Sequence, residues 1–154
     1  MEKHIENNAD ITVATIPVKR EDASGLGIMK LNRKNKIIQF IEKPKNAEEL
    51  DCIKTPEVVF QNNNIYTKNK DYLASMGIYI FNNDILMEIL QDKTKTDFGK
   101  EIIPASIDNY DVYAYLFNGY WEDIGTIKSF FDANIAFTKD TPSFDFFNLK
   151  EPIY

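Results

Sequence analysis

An α/β fold, with a mixed sheet and flanking helices, is the fold class that this sequence predicts. The run ITVATIPV (11–18) is apolar or β-branched throughout, which is typical of a strand buried on both faces. Residues 27–44 hold two mainly apolar arms around turn-forming asparagines, which indicates an antiparallel hairpin. ASMGIYIF (74–81) then precedes a helical pattern, and a strand followed by a helix is the α/β arrangement.

Residues 45–71, between the hairpin and the next strand, are polar and irregular. We expect a variable, mobile loop there, with Val58, Val59 and Phe60 holding its middle. After the strand, the asparagines and aspartate at 82–84 offer N-caps for a helix that carries apolar residues at 85, 86, 89 and 90. The second arm of the hairpin (37–41) is largely apolar, so most of it should be buried.

The last third of the chain predicts one more strand and one more helix. Pro104 makes any helix in DFGKEIIP (97–104) short or interrupted. VYAYLF (112–117) alternates weakly as a strand, and Thr126 is a cap for a helix over 127–137. The aromatic residues of that helix share one face, so we expect them in the core. Residues 138–154 are predicted to be an extended linker.

Composition limits the classes of function. A chain of 154 residues that is 44% hydrophobic can bury one ordinary core, so 1–154 is predicted to be a single globular unit. A net charge of -6 argues against a nucleic-acid or anionic-membrane partner. No run approaches the roughly 20 apolar residues that span a bilayer, and no apolar signal segment is present, so the expected location is cytoplasmic. Cys52, the only cysteine, predicts an ordinary unreactive side chain.

Phosphate-binding motifs are not found in the chain. Gly25-Leu26-Gly27 is followed directly by strand residues, so it does not fit the glycine-rich turn that opens a helix in dinucleotide-binding folds. These residues alone therefore do not support nucleotide binding.

Six segments, taken in order, resemble the sugar-nucleotide pyrophosphorylases, and within them the glucose-1-phosphate adenylyltransferase (ADP-glucose pyrophosphorylase) family. The segments are NNADITVATIPV, then GIMKLN with IIQFIEKPKN, YLASMGIYIF, DFGKEIIP, GYWEDIGTI with FFDANI, and DFFNLKEPIY. Each is weak alone, but the ordered set covers nearly the whole chain. The resemblance implies part of a Rossmann-like, GT-A-like nucleotidyltransferase domain. It also implies that the glycine-rich N-terminal nucleotide-binding half and the C-terminal β-helix of such enzymes are not included.

The activity that the resemblance implies is nucleotidyl transfer for glycogen synthesis, in which ATP and glucose 1-phosphate give ADP-glucose and pyrophosphate. The parent is expected to be a homotetramer that contacts ATP through the half not included, and this chain alone is expected to be inactive. The chemistry requires two anionic reactants held in line and their charge neutralised by cations. Lysine and Mg²⁺ are suited to that task.

Two neighbouring residues match the family's sugar-phosphate contacts. Lys43 matches the lysine on the phosphate, and Pro44 is expected to keep its backbone extended. Glu42 matches the acid that accepts hydrogen bonds from glucose hydroxyls. The alternative for Lys43 is a solvated charge at the end of a strand, and the alternative for Glu42 is a surface pairing with Lys43 or Lys45.

Three further positions match the family's site. Gly27 matches a glycine where the backbone approaches the sugar, although a bulge or strand entry would also explain it. Ser75 matches a glucose-contacting serine, with a backbone-bonded buried serine as the alternative. Asp123 matches an aspartate that helps to bind Mg²⁺, whose other protein carboxylate lies in the half not included. Its alternatives are an exposed acid or a helix cap.

Other polar residues are assigned no role in the chemistry. His4, the only histidine, is expected in a terminal helix in a solvated or packing role. Asp97 and Glu101 could form a carboxylate pair, but in the family pattern their segment belongs to the scaffold. Gly77 is expected to be a packing position.

Three rival interpretations stay open. A UDP- or dTDP-glucose type pyrophosphorylase would share Glu42, Lys43 and the metal-binding acid, and base choice is made mainly by the half not included. A non-catalytic regulatory subunit of the same fold is another class, which loss of Lys43 or Asp123 would have favoured. A plain interaction module is the third.

Overall fold

The computed structural model describes residues 1–143. The chain divides into two compact units, Met1–Asn118 and Gly119–Tyr154. The first unit contains a five-stranded mixed sheet with short helices around it, and residues 119–143, the described part of the second unit, contain one helix. The α/β fold predicted from the sequence is confirmed.

The sheet has the strand order β3-β2-β4-β1-β5. β1 runs parallel to β5 and antiparallel to β4, and β2 lies antiparallel between β3 and β4. β4 is therefore the central strand. The strands are β1 (Ile11–Val18), β2 (Gly27–Leu31), β3 (Ile37–Glu42), β4 (Tyr72–Phe81) and β5 (Val112–Leu116).

The helices are short except for the last. They are α1 (Glu2–Glu6), α2 (Arg20–Ala23), α3 (Ala47–Ile53), α4 (Glu57–Asn62), α5 (Asn83–Ile89), a π-helix (Phe98–Ile102), α6 (Ile103–Ser106) and α7 (Ile127–Phe137). The interruption expected before Pro104 is confirmed, because the π-helix ends at Ile102 and Pro104 lies in the first turn of α6. None of the helices in the described part of the chain is long and apolar enough to cross a membrane.

β2 and β3 form the predicted hairpin. Asn35 closes its turn with a φ of 63°, a left-handed conformation that asparagine tolerates better than most residues. The register shifts between Lys30 and Leu31, so β3 has one residue more than β2 across this step. That extra residue is Ile38, whose side chain is 50% exposed. The expectation that this arm is mostly buried is wrong, because only Ile37 is fully buried.

One hydrophobic core lies within the first unit. Its strand residues come from the same face of all five strands, and α4 and α6 add apolar side chains over them. The fully buried members include Ile11, Met29, Ile37, Leu73, Ile103 and Val112.

Residues 45–71 are more ordered than the sequence suggests, since they contain α3 and α4. Asn46 caps α3 by accepting a hydrogen bond from the Glu49 N–H at 2.8 Å. Val59 and Phe60 on α4 are each 2% exposed, so the apolar anchor predicted there is confirmed. The expected irregular loop is wrong because each short helix buries a pair of apolar side chains, and that burial outweighs the weak helical pattern.

α7 begins where the sequence predicts. The Thr126 hydroxyl accepts from the Ser129 N–H at 3.0 Å, and the Ser129 hydroxyl accepts from the Thr126 N–H, which is a capping box. The expectation that its aromatic residues are core is wrong within the described chain, because Phe130 and Phe131 are 56% and 61% exposed. Residues 144–154, most of the predicted linker, lie outside the described residues.

His4 has the packing role expected of it and is 6% exposed. Its Nδ1 lies 2.8 Å from the Thr12 hydroxyl and its Nε2 lies 3.1 Å from Asn82 Oδ1. Asn82 is the N-cap position of α5, but its side chain contacts His4 and the Ala9 carbonyl and does not cap the helix. His4 therefore fastens α1 to β1 and to the start of α5.

Candidate functional site

Three of the predicted site residues lie in one row across the sheet. Glu42 pairs with Gly27, and Ile28 pairs with Ala74, so extending that register by one residue places Gly27 beside Ser75. Residues directly opposite each other on neighbouring strands point to the same face. Glu42 and Ser75 therefore lie on one face, with the bare Cα of Gly27 between them.

This row is the edge of the core face. Met29, Phe40 and Leu73 pack in or against the core from β2, β3 and β4. Two residues further along each of these strands come Gly27, Glu42 and Ser75. The sheet face thus changes from apolar to polar at this row, where Glu42 and Ser75 are both partly exposed.

Gly27 leaves room that two neighbouring side chains occupy. A Cβ built on it would lie 2.5 Å from Cζ of Phe40 and 2.7 Å from Oε2 of Glu42. Both distances are too short for a real side chain, so any larger residue must displace the ring and the carboxylate. Gly27 is also the first residue of β2, as strand entry would predict. Its proposed approach to a sugar stays a prediction.

Lys43 follows Glu42 with an unexpected backbone. Its φ is +49°, so the extended conformation expected before Pro44 is wrong. The Lys43 N–H continues the ladder by donating to the Leu26 carbonyl at 3.1 Å, and the chain turns there toward α3. A left-handed non-glycine residue costs on the order of 1–3 kcal/mol, and such residues cluster at functional sites. The exposed ammonium has no hydrogen bond or ion pair within residues 1–143.

Ser75 sits beside a second irregularity. Its hydroxyl accepts a hydrogen bond from the Gly77 N–H at 3.2 Å, and Gly77 has a φ of +71°. A Cβ on Gly77 would meet nothing within 4 Å, so the packing role expected for this glycine is wrong. The glycine serves the left-handed backbone that lets β4 bulge past β1.

The π-helix brings to this row residues that the sequence assigned to the scaffold. A Cβ on Gly99 would lie 3.1 Å from Oε2 of Glu42, so the Gly99 backbone passes close to that carboxylate. The Phe98 ring stacks on Tyr79, with centroids 5.6 Å apart and planes 20° apart. In the sequence, only Gly99 and the helix break before Pro104 pointed to an irregular turn here. Irregular turns of the π type are frequent at functional sites.

Two carboxylates hold the start of the π-helix through backbone hydrogen bonds. The Lys100 N–H lowers the pKa of Asp97 most, and a smaller part comes from the charge of Lys43. The Thr96 N–H, followed by the Asp97 N–H, lowers the pKa of Glu101. Both carboxylates are therefore ionised in the folded chain at neutral pH.

We expect the turn to loosen in acid. Because both pKa values are depressed by folding, the stabilisation is complete above the ordinary carboxyl pKa of about 4 and is lost as the pH falls through the lower folded values. Amide chemical shifts of Thr96, Asp97 and Lys100 should change together in an NMR titration from neutral pH downward. Shifts that stay constant to the acid limit of the fold would contradict this.

Asp123, the predicted metal-binding residue, lies in the second unit. Its side chain is exposed, and Oδ1 accepts the Gly125 N–H at 3.0 Å in a turn that leads to Thr126. Thr126, and not Asp123, caps α7, so the helix-cap alternative is wrong. Oδ2 has no partner among the described residues and is free to act as one oxygen ligand.

A complete metal centre is not formed by the described residues. Within residues 1–143 there is no group of three or more histidine, cysteine, aspartate or glutamate side chains that could hold a metal ion. Magnesium usually takes only one or two protein carboxylates, with water and phosphate oxygens completing its shell. Asp123 fits a share in such a site, which stays a prediction.

The fold belongs to a known class of protein. The chain is a member of the nucleotidyl transferase family, whose sequence profile matches residues 1–140. It is 44% identical over 157 residues to the glucose-1-phosphate adenylyltransferase large subunit 1, chloroplastic/amyloplastic, of Zea mays. That alignment covers 100% of this chain and 30% of the relative, so the chain spans less than a third of the relative's length.

Proposed function

We propose that this chain forms the sugar-phosphate-binding part of a glucose-1-phosphate adenylyltransferase. In the proposed reaction, a phosphate oxygen of glucose 1-phosphate attacks the α-phosphorus of ATP. The bond from that phosphorus to the β-phosphate bridging oxygen breaks, so ADP-glucose forms and pyrophosphate leaves. Family membership and the resemblance to the maize relative support the assignment of this reaction.

The observation that carries the proposal is the strained Lys43 beside Glu42. Lys43 has a left-handed φ of +49°, its N–H is bound to the Leu26 carbonyl, and its side chain is exposed. A left-handed residue of this kind persists only where the surrounding structure over-determines its backbone, and such residues cluster at active sites and ligand clamps. A free cation next to a partly exposed carboxylate suits a ligand that has one anionic end and several hydroxyls.

Each residue of the row would have a separate task. Lys43 would neutralise phosphate charge as a compact ammonium with three donors. Glu42 would accept hydrogen bonds from sugar hydroxyls, and Ser75 would donate or accept one more. Gly27 would leave the space that the Phe40 ring and the Glu42 carboxylate occupy beside the sugar. Together they would orient the attacking oxygen, which is the main contribution a protein makes to this chemistry.

Asp123 would contribute one oxygen to Mg²⁺, with a second carboxylate from outside this chain. The ion supplies charge neutralisation at the transferring phosphate when it is bound. ATP binding through the parent's other half, a homotetrameric parent and a cytoplasmic location complete the proposal. The chloroplastic/amyloplastic label belongs to the maize relative.

Glucose 1-phosphate titration of Lys43→Ala tests the site directly. Loss of a charge-assisted contact should weaken binding by about tenfold or more relative to the unmodified chain. The measurement is an NMR titration of the isotopically labelled chain, with chemical shift changes expected at residues 27, 42 and 75.

Lys45→Ala is the matched control, because Lys45 is an exposed lysine two residues away. It should bind like the unmodified chain. Glucose and inorganic phosphate, titrated separately, distinguish recognition of the sugar from simple anion binding. Equal affinity of the Lys43 and Lys45 variants, or no binding by the unmodified chain, would refute the proposal.

A further inference from the structure

The Glu101 carboxylate binds the backbone just before the π-helix. Its Oε2 accepts from the Thr96 N–H at 2.7 Å and from the Asp97 N–H at 3.0 Å, and the Thr96 hydroxyl lies 3.4 Å away. A single carboxylate oxygen thus fixes two successive amides. Glu101 itself is only partly buried, so these bonds are not a by-product of core packing.

The Asp97 side chain binds the backbone within the π-helix, in the opposite direction along the chain. Its Oδ1 accepts the Lys100 N–H at 2.8 Å, so Asp97 is the N-cap of the π-helix while Glu101 reaches back to the Asp97 N–H. In an α-helical capping box the returning side chain comes from the third residue of the helix. Here it comes from the fourth, because a π-turn contains one residue more than an α-turn.

The turn that these bonds fix carries the groups nearest to the polar row. Gly99 passes close to the Glu42 carboxylate, and Phe98 stacks on Tyr79 and packs edge-on against Phe81, with centroids 5.8 Å apart. β3 and the π-helix are in contact. A shift of this turn would therefore move the neighbours of Glu42 directly.

We propose that Glu101 is a positioning residue for the sugar-phosphate site: its carboxylate holds the turn 96–99 against Glu42 and Tyr79. It acts through the turn and does not touch the sugar phosphate. The inference rests on the proposed function, since it names what shapes one wall of that same site.

Glu101→Gln separates this role from a general effect on folding. Glutamine keeps the size of the side chain, and its carbonyl oxygen can take the place of Oε2, but hydrogen bonds to a neutral amide oxygen are weaker than those to a carboxylate. We expect faster amide hydrogen exchange at Thr96 and Asp97 and about fivefold weaker binding of glucose 1-phosphate, a modest loss because a shape change leaves every direct contact available. The midpoint of urea unfolding should stay close to that of the unmodified chain.

Glu57→Gln is the control, because Glu57 is an exposed acid in the first turn of α4 whose side chain accepts a hydrogen bond from Gln61 at 3.1 Å. It should change neither exchange at Thr96 nor binding. Unchanged exchange in Glu101→Gln overturns the inference, and so does faster exchange with unchanged binding. If the unmodified chain itself does not bind glucose 1-phosphate, the proposed function fails first and the positioning role falls with it.

Discussion

Leu73→Ala is expected to lower the free energy of unfolding by about 2–5 kcal/mol, the largest effect of any single truncation considered for this chain. Leu73 lies on the central strand, is 0% exposed, and has Pro17 and Met29 as its neighbours on β1 and β2. The loss removes buried apolar area and leaves a cavity that rigid strands on both sides cannot close. Because whole domains are stable by only about 5–15 kcal/mol, much of the population should unfold in mild urea.

Ile78→Ala on the same strand is the control for that experiment. Ile78 is 54% exposed, so its truncation should change the free energy of unfolding by only about 0.5 kcal/mol. Both variants are compared by urea denaturation followed by circular dichroism. Equal losses at the two positions would contradict the assignment of the core to one face of β4.

Gly27→Ala is expected to damage fold and site together. The added methyl group would meet Phe40 and Glu42 at distances below 3 Å, and relief requires the ring and the carboxylate to move. Overpacking of this kind costs about 1–3 kcal/mol. Since the displaced carboxylate is the proposed sugar contact, glucose 1-phosphate binding should fall along with the urea midpoint.

Gly25→Ala supplies the comparison, because its added Cβ would come no nearer than 3.7 Å to the Asp22 carbonyl. That distance is ordinary contact, so this variant should keep both stability and binding. If the two alanine variants behave alike in urea and in the titration, the close approach at Gly27 does not constrain this position.

Strand patterns were the part of the fold most readily predicted. The buried run of β1, the hairpin and the β4–α5 unit each follow from local alternation or apolar runs, because such patterns are set by the faces that a strand buries. The short helices α3 and α4 were missed, since two turns carry too few residues for a clear helical period. The stability of α4 comes from the core beneath Val59 and Phe60, and that of α3 from the burial of Leu50 and Ile53, which local sequence does not reveal.

In the candidate site, too, local sequence identifies residues, while their arrangement depends on contacts with distant parts of the chain. Glu42, Gly27 and Ser75 were found through motif similarity, and the strand register brings them into one row. The backbone of Lys43 was mispredicted because the preference set by Pro44 is weaker than the ladder bond to Leu26 and the turn into α3. On α7 the pattern identified an apolar face correctly, but a pattern cannot say what covers it.

The extra residue in β3 decides which way the carboxylate points. Side chains on a strand alternate, so two residues three positions apart should face opposite sides; yet Ile37 and Phe40 both contact the core. Ile38 is the extra residue of a β-bulge, so beyond it the alternation places both Phe40 and Glu42 on the core side of the sheet. If Ile38 instead paired in a regular ladder after Ile37, every local motif would be intact but Glu42 would lie on the opposite side of the sheet. The β-bulge, and not a chemical group, therefore sets the face of the sheet on which the Glu42 carboxylate lies.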